Sequence, residues 1–139
     1  MTAPILLVED NDDDAELALR AFRKTATQHP IVRARDGVEA LDYVLARGPH
    51  AARELPIVVL LDLRLPRLDG IDVLKAIRGS AQARLVPVVL LTSSDQERDR
   101  RAAYEHAANS YVQKPVDYDA FLGVARQLVE YWTVLNRGV

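Results

Sequence analysis

Short apolar runs rich in β-branched residues recur along the chain, and they limit its fold more than any other feature. Four such runs occupy residues 5–8, 57–61, 86–91 and 111–112. Because they do not alternate apolar with polar residues, they predict strands that are buried on both faces. A weaker run at residues 31–34 fits a strand nearer an edge of the sheet.

Segments with the apolar spacing of a helix separate these runs. One stripe begins at Ala15 and ends at Phe22, and another begins at Val73, shortly after Gly70. Strand followed by helix occurs five times, which predicts an α/β fold with a parallel sheet and right-handed crossovers. Five such strands favour the flavodoxin-like, doubly wound order 2-1-3-4-5 with helices on both faces.

Length and composition set limits on the class of function. The 139 residues suit one domain, covering residues 1–139, and no apolar stretch is long enough to span a membrane. We therefore expect a cytoplasmic protein. The formal charge of −2 lacks the basic excess of nucleic-acid binders, and the absence of cysteine excludes thiolate chemistry.

Polar side chains follow the apolar runs at the ends where a parallel sheet binds ligands. They are Glu9 and Asp10 after the first run, Asp62 after the third, Thr92 and Ser93 after the fourth, and Lys114 after the fifth. Clustered carboxylates repel each other unless a cation lies among them, and Mg²⁺ suits a few carboxylates with a phosphate. An ammonium and hydroxyls nearby are typical of phosphoryl transfer.

The same positions resemble the successive motifs of bacterial response-regulator receiver domains. The matching runs are ILLVEDN at 5–11, LLDLRLP at 60–66 with DG at 69–70, LTSS at 91–94 and YVQKP at 111–115. They lie in order along nearly the whole chain. The length, the long loop before the third strand and the aromatic tail resemble the single-domain regulators associated with bacterial phytochrome kinases.

The resemblance implies a metal-dependent phosphoacceptor. Asp62 would take a phosphoryl group from a sensor histidine kinase, such as a bacteriophytochrome, and signal by changing conformation. Asp10 and Asp62 would bind Mg²⁺ directly, Glu9 would bind it through water, and the backbone carbonyl of Arg64 would complete the protein ligands. Because no output domain follows in this sequence, we expect output through protein contacts.

The resemblance also implies roles for residues of the fourth and fifth strands. Thr92 would bond the phosphoryl group and Lys114 would pair with it. The Lys114–Pro115 bond would be cis, which holds the loop of the lysine in one shape. Thr92 and Tyr111 would act as switch residues that reorient on activation.

The last predicted helix carries an apolar stripe that continues through Trp132 and Leu135. Such a stripe passes the end of a five-stranded sheet, so the segment at about 129–139 predicts an extended tail that needs a cover. We expect a homodimer formed through this tail, because a symmetric pair is the commonest closed assembly. The alternative is a monomer in which the tail folds back onto its own domain.

Other functions remain open at this point. A phosphohydrolase or phosphotransferase with a small-molecule substrate could use the same carboxylates, although the haloacid-dehalogenase type wants a carboxylate where Arg64 stands. A pseudo-receiver that acts as a scaffold would not need the intact acidic residues. A calcium loop fits Asp10, Asp12 and Asp14 by spacing, but Ala15 occupies its required glycine position.

Overall fold

Five strands alternate with five helices in a computed structural model that describes residues 2–139. The strands are β1 (Ile5–Val8), β2 (Ile31–Ala34), β3 (Val58–Leu61), β4 (Val88–Thr92) and β5 (Ser110–Gln113). The helices are α1 (Asp12–Lys24), α2 (Gly37–Val44), α3 (Gly70–Gly79), α4 (Glu97–Glu105) and α5 (Tyr118–Glu130). None of the helices in this part of the chain has the length and apolar character needed to cross a bilayer.

All neighbouring strands are parallel, and their order is β2-β1-β3-β4-β5. The predicted class, strand number and order are confirmed. The register pairs Val8 at the end of β1 with Leu61 at the end of β3. The residues that follow these two strands therefore leave the sheet side by side, at the point where the strand order reverses.

The sheet is buried on both faces, as the uninterrupted apolar runs predict. Leu6, Val59 and Leu90 belong to a core beneath α2 and α3. The alternate residues, such as Leu7 and Leu60, belong to a second core beneath α1 and α5. Full burial of one such side chain contributes about 1.5–3 kcal/mol, so these two layers hold the strand ends rigidly in place.

Short polar side chains begin most of the helices. Asp36 caps α2 and Asp117 caps α5, and their side chains accept backbone hydrogen bonds of 2.7 and 2.9 Å, respectively. Asn11 caps α1, because its side chain accepts a hydrogen bond of 2.9 Å from the Asp14 N–H and the helix begins at Asp12.

The chain after α5 forms a π-helical turn over Tyr131–Leu135. This turn corrects the prediction that the apolar stripe lacks a cover within its own domain at Trp132. Trp132 is only 8% exposed and packs in the same core as Phe121 and Val129 of its own domain. It lies three residues after Val129, so it continues the buried stripe and still reaches the domain. Leu135 is 61% exposed, so the part of the stripe that lacks a cover begins after the tryptophan.

Candidate functional site

Three carboxylates meet at the end of β1 and β3, as the strand-end argument predicts. Carboxylate oxygens of Glu9, Asp10 and Asp62 all lie within 4.8 Å of one another. Glu9 is buried, Asp62 is half-buried and Asp10 is exposed. The cluster therefore has one closed side toward the core and one side open to solvent, where a ligand or a partner can approach.

Lys114 joins the loop after β5 to this acidic cluster. Its Nζ atom lies 2.7 Å from Glu9 Oε1 and 3.6 Å from Asp62 Oδ2. Burial disfavours the ammonium, but the hydrogen bond to Glu9 and the charge of Asp62 outweigh this effect and raise the pKa of Lys114. The lysine stays charged throughout the neutral range, as an anion-binding role requires.

Asp62 lies in a partly desolvated position between a second carboxylate and an ammonium. Burial raises the pKa of this carboxyl, the Lys114 ammonium opposes the change and the charge of Glu9 adds to it. Asp62 Oδ1 accepts a hydrogen bond of 2.7 Å from the Leu63 N–H, which fixes the orientation of the carboxylate. The cluster as a whole favours an added cation.

A glycine allows the backbone after β3 to fold tightly behind Asp62. Gly70 donates a backbone hydrogen bond of 2.8 Å to the Leu63 carbonyl. A Cβ atom at this position would lie 2.3 Å from the Asp62 carbonyl oxygen. The predicted motif at residues 69–70 therefore has a steric reason, because only glycine leaves room for this approach.

Thr92 closes the site from β4. It is the last residue of the strand and is buried, and its hydroxyl accepts a hydrogen bond of 3.3 Å from the Ser94 N–H. The Lys114 N–H donates to the Thr92 carbonyl at 2.6 Å, and this backbone hydrogen bond holds the two residues side by side. The structure thus brings the predicted threonine and lysine to the same rim as the three carboxylates.

Sequence reasoning missed a polar network that extends from the site to α4. The Arg64 guanidinium lies 3.1 Å from Asp99 Oδ2, and the Ser94 hydroxyl donates to the same oxygen at 2.5 Å. These two contacts, the Ser94 hydrogen bond first, hold the pKa of Asp99 below its usual range. The Tyr111 hydroxyl donates to the Ser94 carbonyl at 3.0 Å, which extends the network to β5.

The predicted cis bond between Lys114 and Pro115 is wrong in this structure. Every peptide bond among the described residues is trans. Trans is the favoured isomer of a prolyl bond by about 0.5–1 kcal/mol. The lysine meets Glu9 and Asp62 with the trans isomer, so these contacts do not require the cis form.

A cleft of about 280 Å³ opens beside the acidic cluster, between α1 and the start of α5. Asp62 and Lys114 line its polar end, and Leu17 of α1 and Val116 line its apolar part. Both apolar side chains are exposed, and Val116 is fully so. The cleft is smaller than the roughly 300–1,000 Å³ of most small-molecule pockets. Its exposed apolar side chains suit contact with a protein surface better than enclosure of a small substrate.

Comparison with known proteins identifies the class of this site. Residues 5–126 match the model of the response regulator receiver domain. The chain belongs to that family. Response regulator Rcp1 of Synechocystis sp. is 32% identical over 128 residues, which cover 92% of this chain and 87% of Rcp1. A probable methanogenesis regulatory protein, FilR2 of Methanothrix harundinacea, is 45% identical over 133 residues, covering 96% and 85% of the two chains.

Solved structures agree with this assignment. The phosphorylated cyanobacterial phytochrome response regulator RcpA superposes with a TM-score of 0.93, at 32% identity and 99% coverage of both chains. The bacteriophytochrome response regulator AtBRR is 45% identical, with a TM-score of 0.79 and 99% coverage of both chains. The predicted resemblance to phytochrome-associated regulators is confirmed, and the receiver is a signalling switch that relays a phosphoryl signal.

Proposed function

We propose that Asp62 is the residue that accepts the phosphoryl group in this receiver. The observation that carries the proposal is its position, half-buried between the Glu9 and Asp10 carboxylates and the Lys114 ammonium. The Asp62 side chain is 15% exposed, and the Leu63 N–H holds its Oδ1 atom in a fixed direction. Preorganisation of this kind is the main contribution that a protein makes to phosphoryl transfer.

The transfer step uses groups already in place. An Asp62 oxygen forms a bond to phosphorus as the bond between phosphorus and the donor histidine nitrogen breaks, and that nitrogen keeps the electron pair and then takes a proton. Lys114 lies 3.6 Å from Asp62, near enough to pair with the oxygens of the arriving group. Thr92, at the same rim, would donate its hydroxyl to another of these oxygens.

A divalent cation fits the acidic cluster, and we propose Mg²⁺. Asp10 and Asp62 would hold it directly, Glu9 through water and Arg64 through its backbone carbonyl. The raised pKa of Asp62 reflects burial and the incompletely neutralised charge that such a cation would balance. When bound, the metal neutralises charge on the phosphoryl oxygens. The structure of Rcp1 in a Mn²⁺-bound form, at 30% identity, supports a divalent site in this family.

The phosphoryl donor that we propose is a sensor histidine kinase, in this subfamily a bacteriophytochrome. Receiver domains of this kind interact with histidine kinases, and the apolar cleft next to Asp62 supplies a surface for one. Leu17 and Val116 expose apolar side chains at the entrance, where a helix of the kinase could cover them. We also propose a cytoplasmic location, because histidine kinases obtain their phosphoryl groups in that compartment.

The chain would catalyse only its own phosphorylation and dephosphorylation. Turnover of acetyl phosphate separates this proposal from a small-molecule phosphohydrolase. We expect uptake to stop near one phosphoryl group per chain, followed by slow loss. Rapid continuous hydrolysis, many equivalents per minute, would instead support the phosphohydrolase. Lack of any uptake together with normal folding would support a pseudo-receiver scaffold.

Signal output would pass through the network between the site and β5. Tyr111 points toward the loop after β4, where its hydroxyl donates to the Ser94 carbonyl. Thr92 is the last residue of β4, and its hydroxyl accepts a hydrogen bond from the Ser94 N–H of this loop. A movement of Thr92 toward a phosphoryl group would change the Ser94 contacts and therefore the position of Tyr111. We propose that Thr92 and Tyr111 form the switch on this basis.

We further propose that residues 1–139 act as one receiver domain and that its tail, at about 129–139, supports a homodimer. Tyr131, Val134 and Leu135 expose apolar side chains next to a groove of about 1060 Å³ that Leu128 and Tyr131 help to line. The tail of a second copy would cover this surface. Sedimentation of the wild type beside Leu135→Ala tests it, and a wild-type monomer at tens of micromolar, with and without beryllofluoride, would contradict the dimer.

A further inference from the structure

Arg33 on β2 makes a three-point contact with the acidic segment after β1, which includes the first residue of α1. Its Nε donates to the Glu9 carbonyl at 3.1 Å, and its Nη2 donates to the Asp10 carbonyl at 3.3 Å. Its Nη1 lies 2.9 Å from the Asp12 carboxylate. The side chain is only 15% exposed, so these contacts occur in a partly desolvated position where charge-assisted hydrogen bonds are strong.

The contacts fall where the sheet no longer holds the chain. The ladder between β1 and β2 ends with the Glu9 N–H, which donates to the Ala34 carbonyl at 3.0 Å. Asp10 is exposed, so packing does not fix its position. Glu9 is different, because its side chain is held by Lys114. The Asn11 N–H donates to Glu9 Oε2 at 3.1 Å, which ties the far side of the turn to the same carboxylate. The hydrogen bond from Arg33 to the Asp10 carbonyl restrains the peptide between these two points.

We infer that Arg33 is a positioning residue that fixes the backbone of Glu9 and Asp10, so that the Asp10 carboxylate faces Asp62 in a geometry suited to a divalent cation. The inference rests on the proposed metal site and adds a residue to its support. The planar fork of arginine suits two neighbouring carbonyls and one carboxylate at once, which the single ammonium of a lysine does not. Groups that orient metal ligands in this way often change metal affinity by about 10–100-fold when replaced.

Simple electrostatics makes the opposite prediction, which gives the inference a sharp test. A guanidinium close to a cation site repels the cation, so its removal should strengthen metal binding if charge alone matters. Arg35 is a matched control within the chain. It pairs with the same Asp12 oxygen at 3.0 Å, but its side chain is 64% exposed and its hydrogen bond is to that carboxylate.

The experiment titrates Mn²⁺ into the phosphate-free protein and measures the free ion by electron paramagnetic resonance. The variants are Arg33→Gln, Arg33→Lys and Arg35→Gln beside the wild type. We expect the Mn²⁺ dissociation constant to rise about tenfold for Arg33→Gln. It should rise several-fold for Arg33→Lys, which keeps the charge and loses the fork, and it should stay equal or fall slightly for Arg35→Gln.

Circular dichroism and thermal unfolding show whether each variant is folded at the temperature of the titration. If Arg33→Gln is not folded, the comparison of Arg33→Lys with the wild type decides the test. Wild-type affinity or tighter binding in a folded Arg33 variant would overturn the inference while leaving the metal site in place. An equal loss in Arg35→Gln would overturn it too, because loss of the ion pair with Asp12, which both arginines make, would then explain the effect without the contacts to the two carbonyls. A wild type that binds no Mn²⁺ would overturn the metal site itself, and the role of Arg33 with it.

Discussion

Replacement of Lys114 by methionine should destabilise the metal-free protein, because it leaves the buried Glu9 carboxylate without its ammonium. Two unit charges 2.7 Å apart attract each other by about 6 kcal/mol at an effective dielectric constant of about 20. Desolvation of the lysine and about 2 kcal/mol of its side-chain entropy offset part of this attraction. Loss of one partner from a buried pair nevertheless costs about 3 kcal/mol, the value that we expect here.

A double-mutant cycle isolates the pair. Urea unfolding at pH 7 in EDTA would be measured for the wild type, Lys114→Met, Glu9→Gln and the double variant. We expect Glu9→Gln to recover much of the loss, with a coupling energy of about 2 kcal/mol. A coupling below about 0.5 kcal/mol would refute the reasoning, because Glu9 would then not depend on the lysine for its charge compensation.

The pH dependence of the wild type gives a second check on the same pair. The pKa of Lys114 is raised above its ordinary 10.5, so its contribution to stability is fully present below that pH. The contribution is lost as the pH rises through the pKa of the folded state. Across pH 6 to 9 the difference in stability between the wild type and Lys114→Met should therefore not fall through titration of the lysine.

Further expectations concern the acceptor, the tight turn and the tail. Asp62→Asn should raise the melting temperature of the metal-free protein at pH 7, because burial raises the pKa of this carboxyl, and the gain should vanish below about pH 3.8 in a pH series. Gly70→Ala should destabilise by about 1–3 kcal/mol through its clash, while Gly123→Ala, in open space within α5, should stabilise by up to about 1 kcal/mol in urea unfolding. Trp132→Ala should cost about 3–5 kcal/mol in the same assay, and Leu135→Ala should leave the unfolding of the monomer nearly unchanged.

Much of the fold and of the site could be predicted because both depend on local patterns. The apolar runs predict the strands. The rule that ligands bind at the carboxyl ends of parallel strands predicts that Glu9, Asp62 and Lys114 lie close together. The contacts of Arg33 could not be predicted in this way. They depend on the pairing of β1 with β2 and on a side-chain direction, and neither leaves a motif in the sequence.

The tail and the loop after β5 show a second limit. An apolar stripe indicates that Trp132 is covered but not by which surface, and here the domain itself covers it. The isomer of the Lys114–Pro115 bond was inferred from resemblance alone, and the structure has the trans form. Links such as that between Arg64 and Asp99 join residues far apart in the chain, so only the three-dimensional arrangement reveals them.

The central claim is that Asp62 accepts the phosphoryl group, and one measurement tests it directly. The wild type and Asp62→Asn would be incubated with acetyl phosphate and Mg²⁺, and then analysed by intact mass and by peptide mapping after borohydride trapping. We predict one phosphoryl group per wild-type chain, mapped to Asp62, and none on the variant. A phosphoryl group mapped to another residue of the wild type, or equal labelling of Asp62→Asn, would contradict the account.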